Sequence, residues 1–508
     1  MEQVYDLPLM VLGEKIYITD NTEFETVKYE RGVTVRIPKT TLEHVEKIKN
    51  SNNDELKKLS FEQVTVFLSK VGQLWSNPDY ELRKKAIELS SKLTGFDECF
   101  IARDFDIMGD YIRLRPELYD QVDTELGNYL LLDEWVLKHE SYIHAEPRGK
   151  VLHVLVGNIP IASIYSIIRG ILTKNMNIAK LPTRDLATCL YFLLSFIEID
   201  PNHPITRSLS ALYWKRGNNE IEDKMLSQSD VVCLWGGEGA VKAIKPKVPA
   251  GVEFIEFGPK RSLSIIDLDL VDENDIDRTA CRLAGDMSVY NQEACFSTQL
   301  AFVMGNKVDE FIESLKGWLD KTVKRWPTGF LTFDNNAHLS INKLKETFSG
   351  HQVISSEGNK WCIIKCNDIN YLPEHPLGRT IYIYCIDDIS QMYHFINRDV
   401  QTIGTYPWSV AFKHKDDLAE RGVDRICELG LHAIPRIGWA HDSMFPMSRM
   451  VRYISLELSL DTKGKYYEGD AAHDFMCFGY YSSEDEVRQL VKDNMLPAGF
   501  IPKHIIEE

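Results

Sequence analysis

Several features are missing from this 508-residue sequence. The first residues contain neither the basic segment nor the apolar core of a secretory signal, so we expect no export by that route. The least charged stretch, residues 151–168, is interrupted by Gly157, Asn158 and Pro160. That pattern predicts a strand, a turn and a helix rather than a membrane span. Internal repeats and low-complexity segments are also missing, so composition alone places no linker.

The sequence has no evident basic face and no closely paired cysteines. The 75 acidic residues outnumber the 58 Lys and Arg, and the resulting net charge of −17 argues against nucleic acid as a partner. The ten cysteines are scattered, and the nearest pair, Cys362 and Cys366, lacks the C-x-x-C spacing of zinc and redox sites. We therefore expect no metal site and a thiol-reduced, cytoplasmic protein.

The residues that are present predict an α/β protein. The length predicts two or three lobes, and 44% hydrophobic residues is ordinary for a globular chain. The first forty or so residues have strand-like alternation, and residues 41–144 have helical periodicity. From residue 151 onward strands and helices alternate, which indicates a parallel sheet. The tail combines an apolar strand near Tyr453 with an acidic helix. The first strands predicted in the alternating part are 151–156, 177–181, 231–235 and 252–257.

Cys295 is the leading candidate for a reactive residue. It lies in the segment NQEACFST, residues 291–298, between a helical pattern over 276–287 and an apolar strand over 300–304. A thiol on a loop between two packed elements is held in place and remains accessible, as a nucleophile requires. A single cysteine is more often a small buried hydrophobe, so the neighbouring segments decide between the two interpretations.

Four further segments each follow a predicted strand, where open α/β sheets bind their ligands. The first contains Asn158, held between Gly157 and a turn with Pro160. With the backbone N–H of Cys295, its side-chain amide would form an oxyanion hole for a thiohemiacetal. The alternative is an asparagine that only satisfies its own turn.

The second segment contains Lys180, Thr183 and Arg184, which precede the first acidic residue, Asp185. Sites for an unphosphorylated dinucleotide usually place a carboxylate near the adenosine ribose. A cluster of two cations and a hydroxyl instead suits a 2′-phosphate. The alternative is a solvated surface cluster.

The third and fourth segments supply a glycine turn and a carboxylate. Gly236 and Gly237 follow a strand, where glycines allow a pyrophosphate or nicotinamide ribose to approach the backbone. An ordinary strand–helix turn would have the same pattern. Glu256 ends the next apolar strand and is a candidate general base for the thiol. The alternative interpretation is that Glu256 only forms an ion pair with Lys260 or Arg261.

Taken in order, these segments resemble the aldehyde dehydrogenase superfamily. NIP at residues 158–160 resembles the W-N-F-P turn of that superfamily, and Lys180 resembles the lysine of its K-P-x-E motif. GGE at 236–238 resembles its G-S-T-E turn. Glu256 and Cys295 resemble its general base and its nucleophile.

Two segments narrow the resemblance to the acyl-CoA reductase branch, NQEAC at 291–295 and WAHD at 439–442. The whole chain resembles the long-chain fatty acyl reductases of bacterial bioluminescence. The Gly-Gln that precedes the cysteine elsewhere in the superfamily is replaced by Gln292-Glu293. The resemblance leaves open the role of Glu293, and whether His441 and Asp442 are structural or catalytic.

The resemblance implies a Rossmann-type cofactor-binding domain, an α/β catalytic domain and a small β element for oligomerisation. The implied division is an extended arm over 1–45, the cofactor-binding domain over 46–255, the catalytic domain over 256–446, and a strand and helix for oligomer or partner contacts over 447–508.

The implied activity is NADPH-dependent reduction of a long-chain acyl thioester, acyl-CoA or acyl-protein, through an acyl-cysteine on Cys295. Glu374 corresponds by resemblance to a glutamate on the nicotinamide ribose, and either Thr183 or Arg184 would face the 2′-phosphate. The implied partners are fatty acid-activating synthetase and acyltransferase subunits. The resemblance also implies that this chain forms a homotetramer. The alternatives are a Cys-dependent acyltransferase or thioesterase without nicotinamide chemistry, and a non-catalytic assembly subunit.

Overall fold

Two seven-stranded sheets form the framework of the protein. The computed structural model describes residues 3–138, 141–457, 489, 492 and 493, and the predicted acidic helix of the tail lies outside them. The chain divides into one unit of residues 1–128 and 147–451 and a second of 129–146 and 452–508.

The strands of the described residues, in chain order, are β1 Gln3–Asp6, β2 Leu9–Val11, β3 Glu14–Ile16, β4 Phe24–Tyr29, β5 Val33–Pro38, β6 Val136–Lys138, β7 Ser141–Pro147, β8 Lys150–Val154, β9 Met176–Lys180, β10 Leu209–Leu212, β11 Val231–Trp235, β12 Glu253–Phe257, β13 Arg261–Asp267, β14 Thr298–Met304, β15 Gln352–Ser355, β16 Cys362–Cys366, β17 Thr380–Cys385, β18 Val400–Tyr406, β19 Arg425–Glu428 and β20 Val451–Leu456.

The α-helices are α1 Leu42–Lys49, α2 Asp54–Lys57, α3 Phe61–Trp75, α4 Glu81–Thr94, α5 Glu98–Arg113, α6 Arg115–Leu126, α7 Pro160–Leu172, α8 Thr188–Ile199, α9 Pro204–Arg207, α10 Asn219–Ser227, α11 Glu238–Ile244, α12 Ile276–Ser288, α13 Val308–Arg325, α14 Phe333–Phe348, α15 Trp408–Glu420 and α16 Pro446–Met450. Among the residues described, no helix combines the length and the apolar character needed to cross a bilayer.

The first sheet has the strand order β12-β11-β8-β9-β10-β2-β3. Its first five strands are mutually parallel, and β2 and β3 extend one edge in antiparallel fashion. The predicted strands of this region are confirmed, with β11 at the predicted residues and the others shifted by one or two positions at their ends. Because β8, β9, β11 and β12 are parallel neighbours, the four candidate segments that follow them leave the same edge of the sheet.

The second sheet has the order β15-β16-β17-β14-β13-β18-β19, and only β15 is antiparallel to its neighbour among these strands. Its side chains alternate between two cores. Ala301 and Val303 of β14 join one core with α12 and α13, whereas Leu300 and Phe302 join the core on the opposite face. Full burial of a side chain such as Phe302 stabilises the fold by about 1.5–3 kcal/mol, so the alternation fixes the register of β14.

Three residues, Gly258 to Lys260, connect β12, an edge strand of the first sheet, to β13, an interior strand of the second. This short connection brings the carboxyl edge of the first sheet against the amino edge of the second. The strands β13, β14 and β18 are parallel neighbours, so the starts of all three lie at this junction.

The remaining strands form two smaller sheets. The strands β1, β5 and β4 form one sheet near the amino terminus, in that order. The second unit contains the sheet β20-β7-β6, in which β20 is an edge strand. The predicted strand near Tyr453 is confirmed as part of β20.

Gly404 of β18 provides a test of the packing behind the cysteine loop. A Cβ at this position would lie 2.1 Å from Nε2 of the fully buried His432. We expect Gly404→Ala to lower the free energy of unfolding by about 1–3 kcal/mol, because the packed core cannot take the extra methyl group. Gly285→Ala is the control, since no atom lies within 4 Å of its added Cβ. Equal midpoints of urea unfolding for both variants would contradict this account.

Candidate active site

The cysteine loop, residues 289–298, connects α12 to β14 at the junction of the two sheets. Three consecutive residues before the cysteine have positive φ angles, Tyr290 at 49°, Asn291 at 50° and Gln292 at 66°. Each left-handed non-glycine residue costs about 1–2 kcal/mol, so neighbouring contacts must hold this backbone.

Buried polar contacts hold the left-handed segment. The Tyr290 hydroxyl donates a short hydrogen bond to the buried Asp104 carboxylate. Asn291 donates from Nδ2 to the Thr328 carbonyl at 2.9 Å and accepts at Oδ1 from Arg379 Nε, also at 2.9 Å. Because Arg379 is itself buried, these bonds are protected from water.

Gln292 ties the loop to the second sheet. Its Oε1 accepts the backbone N–H of Thr380 at 2.7 Å, and its Nε2 donates to the carbonyls of Thr380 at 2.6 Å and Thr298 at 2.9 Å. The side chain is 1% exposed, so loss of any of these bonds would leave a buried polar group without a partner. Gln292 therefore connects the loop to the starts of β14 and β17.

The segment after the strained residues is fixed as well. Ser262 Oγ donates to the Cys295 carbonyl at 2.7 Å, and His432 Nδ1 bonds to the Phe296 carbonyl at 2.7 Å. Ser297 Oγ donates to the Val289 carbonyl at 3.0 Å, closing the loop on itself. The cysteine is thus held on both sides.

The Cys295 sulfur is half-buried and accepts a hydrogen bond from Gln401 Nε2 at 3.0 Å. The same amide nitrogen donates to Asp442 Oδ1 at 2.7 Å. Burial raises the pKa of the Cys295 thiol to about 12, the Asp442 charge adds to the rise, and the bond from Gln401 opposes it. In this state the sulfur is a thiol at neutral pH.

His441 and Asp442 lie beside this chain of contacts. The His441 ring packs edge-on against Phe257, with centroids 4.9 Å apart, and against Trp235 at 5.5 Å. Burial lowers the pKa of His441 to about 3 and raises the pKa of Asp442 to about 6. The Nε2 atom of His441 is 3.8 Å from Asp442 Oδ1, and within the described part of the chain it has no hydrogen-bond partner. The histidine is therefore neutral at physiological pH.

Asn158 reaches the cysteine loop from the first sheet. Its Nδ2 donates to the Glu293 carbonyl at 2.8 Å, which leaves a second N–H on that nitrogen. Its Oδ1 is buried and has no partner among residues 3–138 and 141–457. Gly157 allows this approach, because a Cβ there would lie 2.8 Å from the Arg184 side chain.

Arg184 also reaches the cysteine loop. Its guanidinium forms an ion pair with the Glu293 carboxylate through both nitrogens, Nη2 at 2.9 Å from Oε1. Nη2 also donates to the Thr94 carbonyl at 3.3 Å, and the group lies over the Phe96 ring at 5.5 Å. Glu293, whose role the sequence left open, is the loop's ionic contact with the first sheet.

The other two residues of that segment lie at the end of β9. Lys180 has its ammonium 5.9 Å from the centre of the Trp214 ring, and burial lowers its pKa. Thr183 is exposed and places its hydroxyl 3.3 Å from the Tyr213 hydroxyl. Asp185, which follows, is buried and accepts the backbone N–H groups of residues 187 and 188 at the start of α8.

Gly236 and Gly237 form the turn between β11 and α11. A Cβ on Gly236 would lie 2.8 Å from that of Ala240, whereas the space beside Gly237 is open. Only Gly236 is therefore required by local packing.

Glu256 is the penultimate residue of β12, at the junction of the sheets. Its Oε2 accepts from Lys245 Nζ at 3.0 Å, so its ion-pair partner is neither Lys260 nor Arg261. Lys260 instead pairs with Asp424 at 3.0 Å. Glu374 lies exposed in the connection between β16 and β17.

A cavity of about 680 Å³ opens beside the cysteine loop. Asn158, Arg184 and Glu293 contribute to its wall, together with the apolar side chains of Phe330 and Leu339. Its lining also contains the cations Lys28, Arg31 and Lys92. The cavity thus combines positive charge with apolar surface next to Asn158.

Gln401 was not predicted from the sequence. It lies at the start of β18, whereas the residues predicted from the sequence lie near the carboxyl ends of strands or on the cysteine loop. The only local signal was a lone amide at the beginning of an apolar strand.

The family model described as Acyl-CoA reductase (LuxC) matches residues 56–453. The chain belongs to the acyl-CoA reductase (LuxC) family. The long-chain acyl-protein thioester reductase of Photorhabdus laumondii is 38% identical over 429 residues, covering 84% of this chain and 87% of that protein. The reductase of the same name from Aliivibrio fischeri is 33% identical, covering 88% of this chain and 92% of that protein.

Solved structures confirm the aldehyde dehydrogenase-like fold of this family member. An aldehyde dehydrogenase from Physcomitrella patens has a TM-score of 0.69 at 13% identity, covering 90% of this chain and 98% of that one. An NADP-dependent glyceraldehyde-3-phosphate dehydrogenase from Bacillus halodurans has a TM-score of 0.67 at 16% identity, covering 90% of this chain and 100% of that one. The resemblance found in the sequence is therefore confirmed for fold and family.

Replacing Gln292 tests its anchoring role. We expect Gln292→Met to lower the free energy of unfolding by about 1–3 kcal/mol, because the Thr380 N–H loses its buried acceptor. Hydrogen exchange in residues 289–298 should accelerate. Gln228→Met, at the half-buried end of α10, is the matched control and should change neither quantity. Unchanged exchange in the Gln292 variant would show that other contacts suffice to hold the loop.

Proposed function

We propose that this protein reduces a long-chain acyl thioester to the fatty aldehyde with NADPH, through an acyl-cysteine on Cys295. The observation that carries the proposal is a half-buried sulfur, hydrogen-bonded to Gln401, at the junction of two sheets in an acyl-CoA reductase family member. The names of the curated relatives, long-chain acyl-protein thioester reductases, support the same substrate class.

In the first step the Cys295 sulfur attacks the thioester carbonyl. A new C–S bond forms, the donor's C–S bond breaks, and the proton lost by Cys295 ends on the departing thiol. Glu256 is proposed as the group that accepts this proton in passing, because it lies near the end of β12, at the junction where β13 begins.

The second N–H of Asn158 is proposed as a donor to the oxyanion, together with the backbone N–H of Cys295. The bond from Nδ2 to the Glu293 carbonyl supports this role, since it fixes the amide and leaves one N–H to donate. After the acyl-cysteine carbonyl has been reduced, the resulting thiohemiacetal collapses: its C–S bond breaks, the aldehyde leaves and the sulfur regains a proton.

The residues at the carboxyl edge of the first sheet fit NADPH. Lys180 and Thr183 offer a cation and a hydroxyl, whereas the carboxylate of Asp185 is occupied by the start of α8 and does not compete at the ribose. Gly236 and Gly237 are proposed for the pyrophosphate side and Glu374 for the nicotinamide ribose. When bound, NADPH supplies the hydride that reduces the acyl-cysteine carbonyl. Arg184 is held by Glu293, which favours Thr183 for the 2′-phosphate.

We also propose that the donor is acyl-CoA or an acyl-protein delivered by synthetase and acyltransferase subunits, and that the protein is a cytoplasmic homotetramer. Among the described strands β20 lies at the edge of its sheet, and sheet edges are common contact sites between subunits.

Cys295→Ala tests the nucleophile. With tetradecanoyl-CoA and NADPH, the wild type should oxidise NADPH and retain labelled acyl group, and the variant should do neither. Cys281→Ala, which removes a half-exposed thiol on α12, is the control and should behave as wild type. Acyl labelling without NADPH oxidation in the wild type would indicate an acyltransferase or thioesterase, and neither activity would indicate an assembly subunit.

Thr183→Glu tests the cofactor. A carboxylate there would repel the 2′-phosphate and accept a 2′-hydroxyl, so KM for NADPH should rise about 10–100-fold while KM for NADH changes little or falls. Thr183→Ser is the control. Arg184→Met should affect both cofactors equally, because its partner is Glu293. If Arg184→Met raised KM for NADPH and left KM for NADH unchanged, the contact with the 2′-phosphate would be assigned to Arg184.

A further inference from the structure

We propose that Gln401 is a catalytic residue that donates an N–H to the Cys295 sulfur, and that Asp442 is a positioning residue that fixes the orientation of the Gln401 amide. This inference rests on the proposed function for its reaction. Its geometric part concerns only the sulfur and its neighbours.

The contact between Gln401 and the sulfur is well defined. Nε2 lies 3.0 Å from Sγ, and the Gln401 side chain is 6% exposed, so water does not compete for the bond. Gln401 occupies the start of β18, whose neighbour β13 carries Ser262, the donor to the Cys295 carbonyl. The strand and the loop thus hold donor and acceptor against each other.

Asp442 determines which end of the amide faces the sulfur. A side-chain amide can rotate by half a turn, which exchanges its NH2 group for its carbonyl oxygen. An ionised carboxylate only accepts hydrogen bonds, and Oδ1 of Asp442 accepts from Nε2 at 2.7 Å. The NH2 group therefore faces Asp442 and, with its other hydrogen, the sulfur.

The groups around Asp442 leave its carboxylate ionised at neutral pH, so it still fixes the orientation of the Gln401 amide. Its pKa is raised to about 6 by burial and by Asp424, whereas Gln401, Lys260 and Arg169 act in the opposite direction. Its neighbour His441 is neutral, since its pKa is about 3. At pH 7 to 8 the carboxylate is ionised and the amide keeps its orientation.

An N–H aimed at the sulfur acts when negative charge develops there. The sulfur carries that charge as the thiol is deprotonated, and again as the thiohemiacetal collapses and the C–S bond breaks. An acylated sulfur accepts hydrogen bonds poorly, so the bond is stronger in the two transition states than in the acyl-cysteine. Such differential binding accelerates both steps. The Asp442 charge opposes thiolate formation, so the two residues shift the thiol pKa in opposite directions.

Alkylation by iodoacetamide tests the proposal, followed across pH at the peptide that contains Cys295, because Cys99 and Cys385 are also exposed. Gln401→Met keeps the length and removes the donor, so alkylation at pH 8 should slow about 10-fold, which is one pKa unit. NADPH turnover should fall about 10–100-fold. Gln228→Met is the matched control. Alkylation and turnover like wild type in Gln401→Met would overturn the role of Gln401.

Asp442→Asn distinguishes the role of Asp442 from that of Gln401. Removing the charge should lower the pKa of the thiol and speed alkylation at pH 8, yet turnover should fall because the amide is no longer held. Unchanged or faster turnover, or slower alkylation, would overturn the positioning role. Thermal unfolding identifies variants that fail to fold. Alkylation needs neither substrate nor cofactor, so a failure of the proposed function leaves this test intact.

Discussion

The position of the sulfur depends on a backbone conformation that its own residues disfavour. Tyr290, Asn291 and Gln292 are all left-handed, and none of them is glycine. Their side chains offset the strain, because each forms hydrogen bonds to a different part of the fold, and the turn they create points the cysteine toward the junction. The same residues therefore cause the strain and hold it in place.

The electrostatics of the site describe a resting thiol rather than a permanently activated one. Burial and the Asp442 carboxylate keep the sulfur protonated, whereas the Gln401 amide and the backbone N–H groups of Cys295 and Phe296 favour its ionised form. A neutral thiol reacts slowly with oxidants and stray electrophiles. Reactivity then depends on what a bound thioester changes around the sulfur.

The sequence predicts the first sheet well, because apolar strands such as β11 are followed by turns with clear residue signals. It also proposes two site residues, Asn158 on one of those turns and Cys295 on the loop between α12 and β14. It does not predict Gln401, because 106 positions separate it from Cys295 and its strand has no distinguishing pattern. The pairing of Arg184 with Glu293, over 109 positions, is equally invisible. Such contacts depend on how two sheets meet, which local periodicity does not encode.

The connection from Gly258 to Lys260 has a mechanical consequence. The chain from Phe257 to Arg261 makes four Cα–Cα steps and spans at most about 14 Å when fully extended, so this tether sets an upper limit on how far the end of β12 and the start of β13 can separate. The first and second sheets therefore cannot move far apart at this point, where the starts of β13, β14 and β18 also lie.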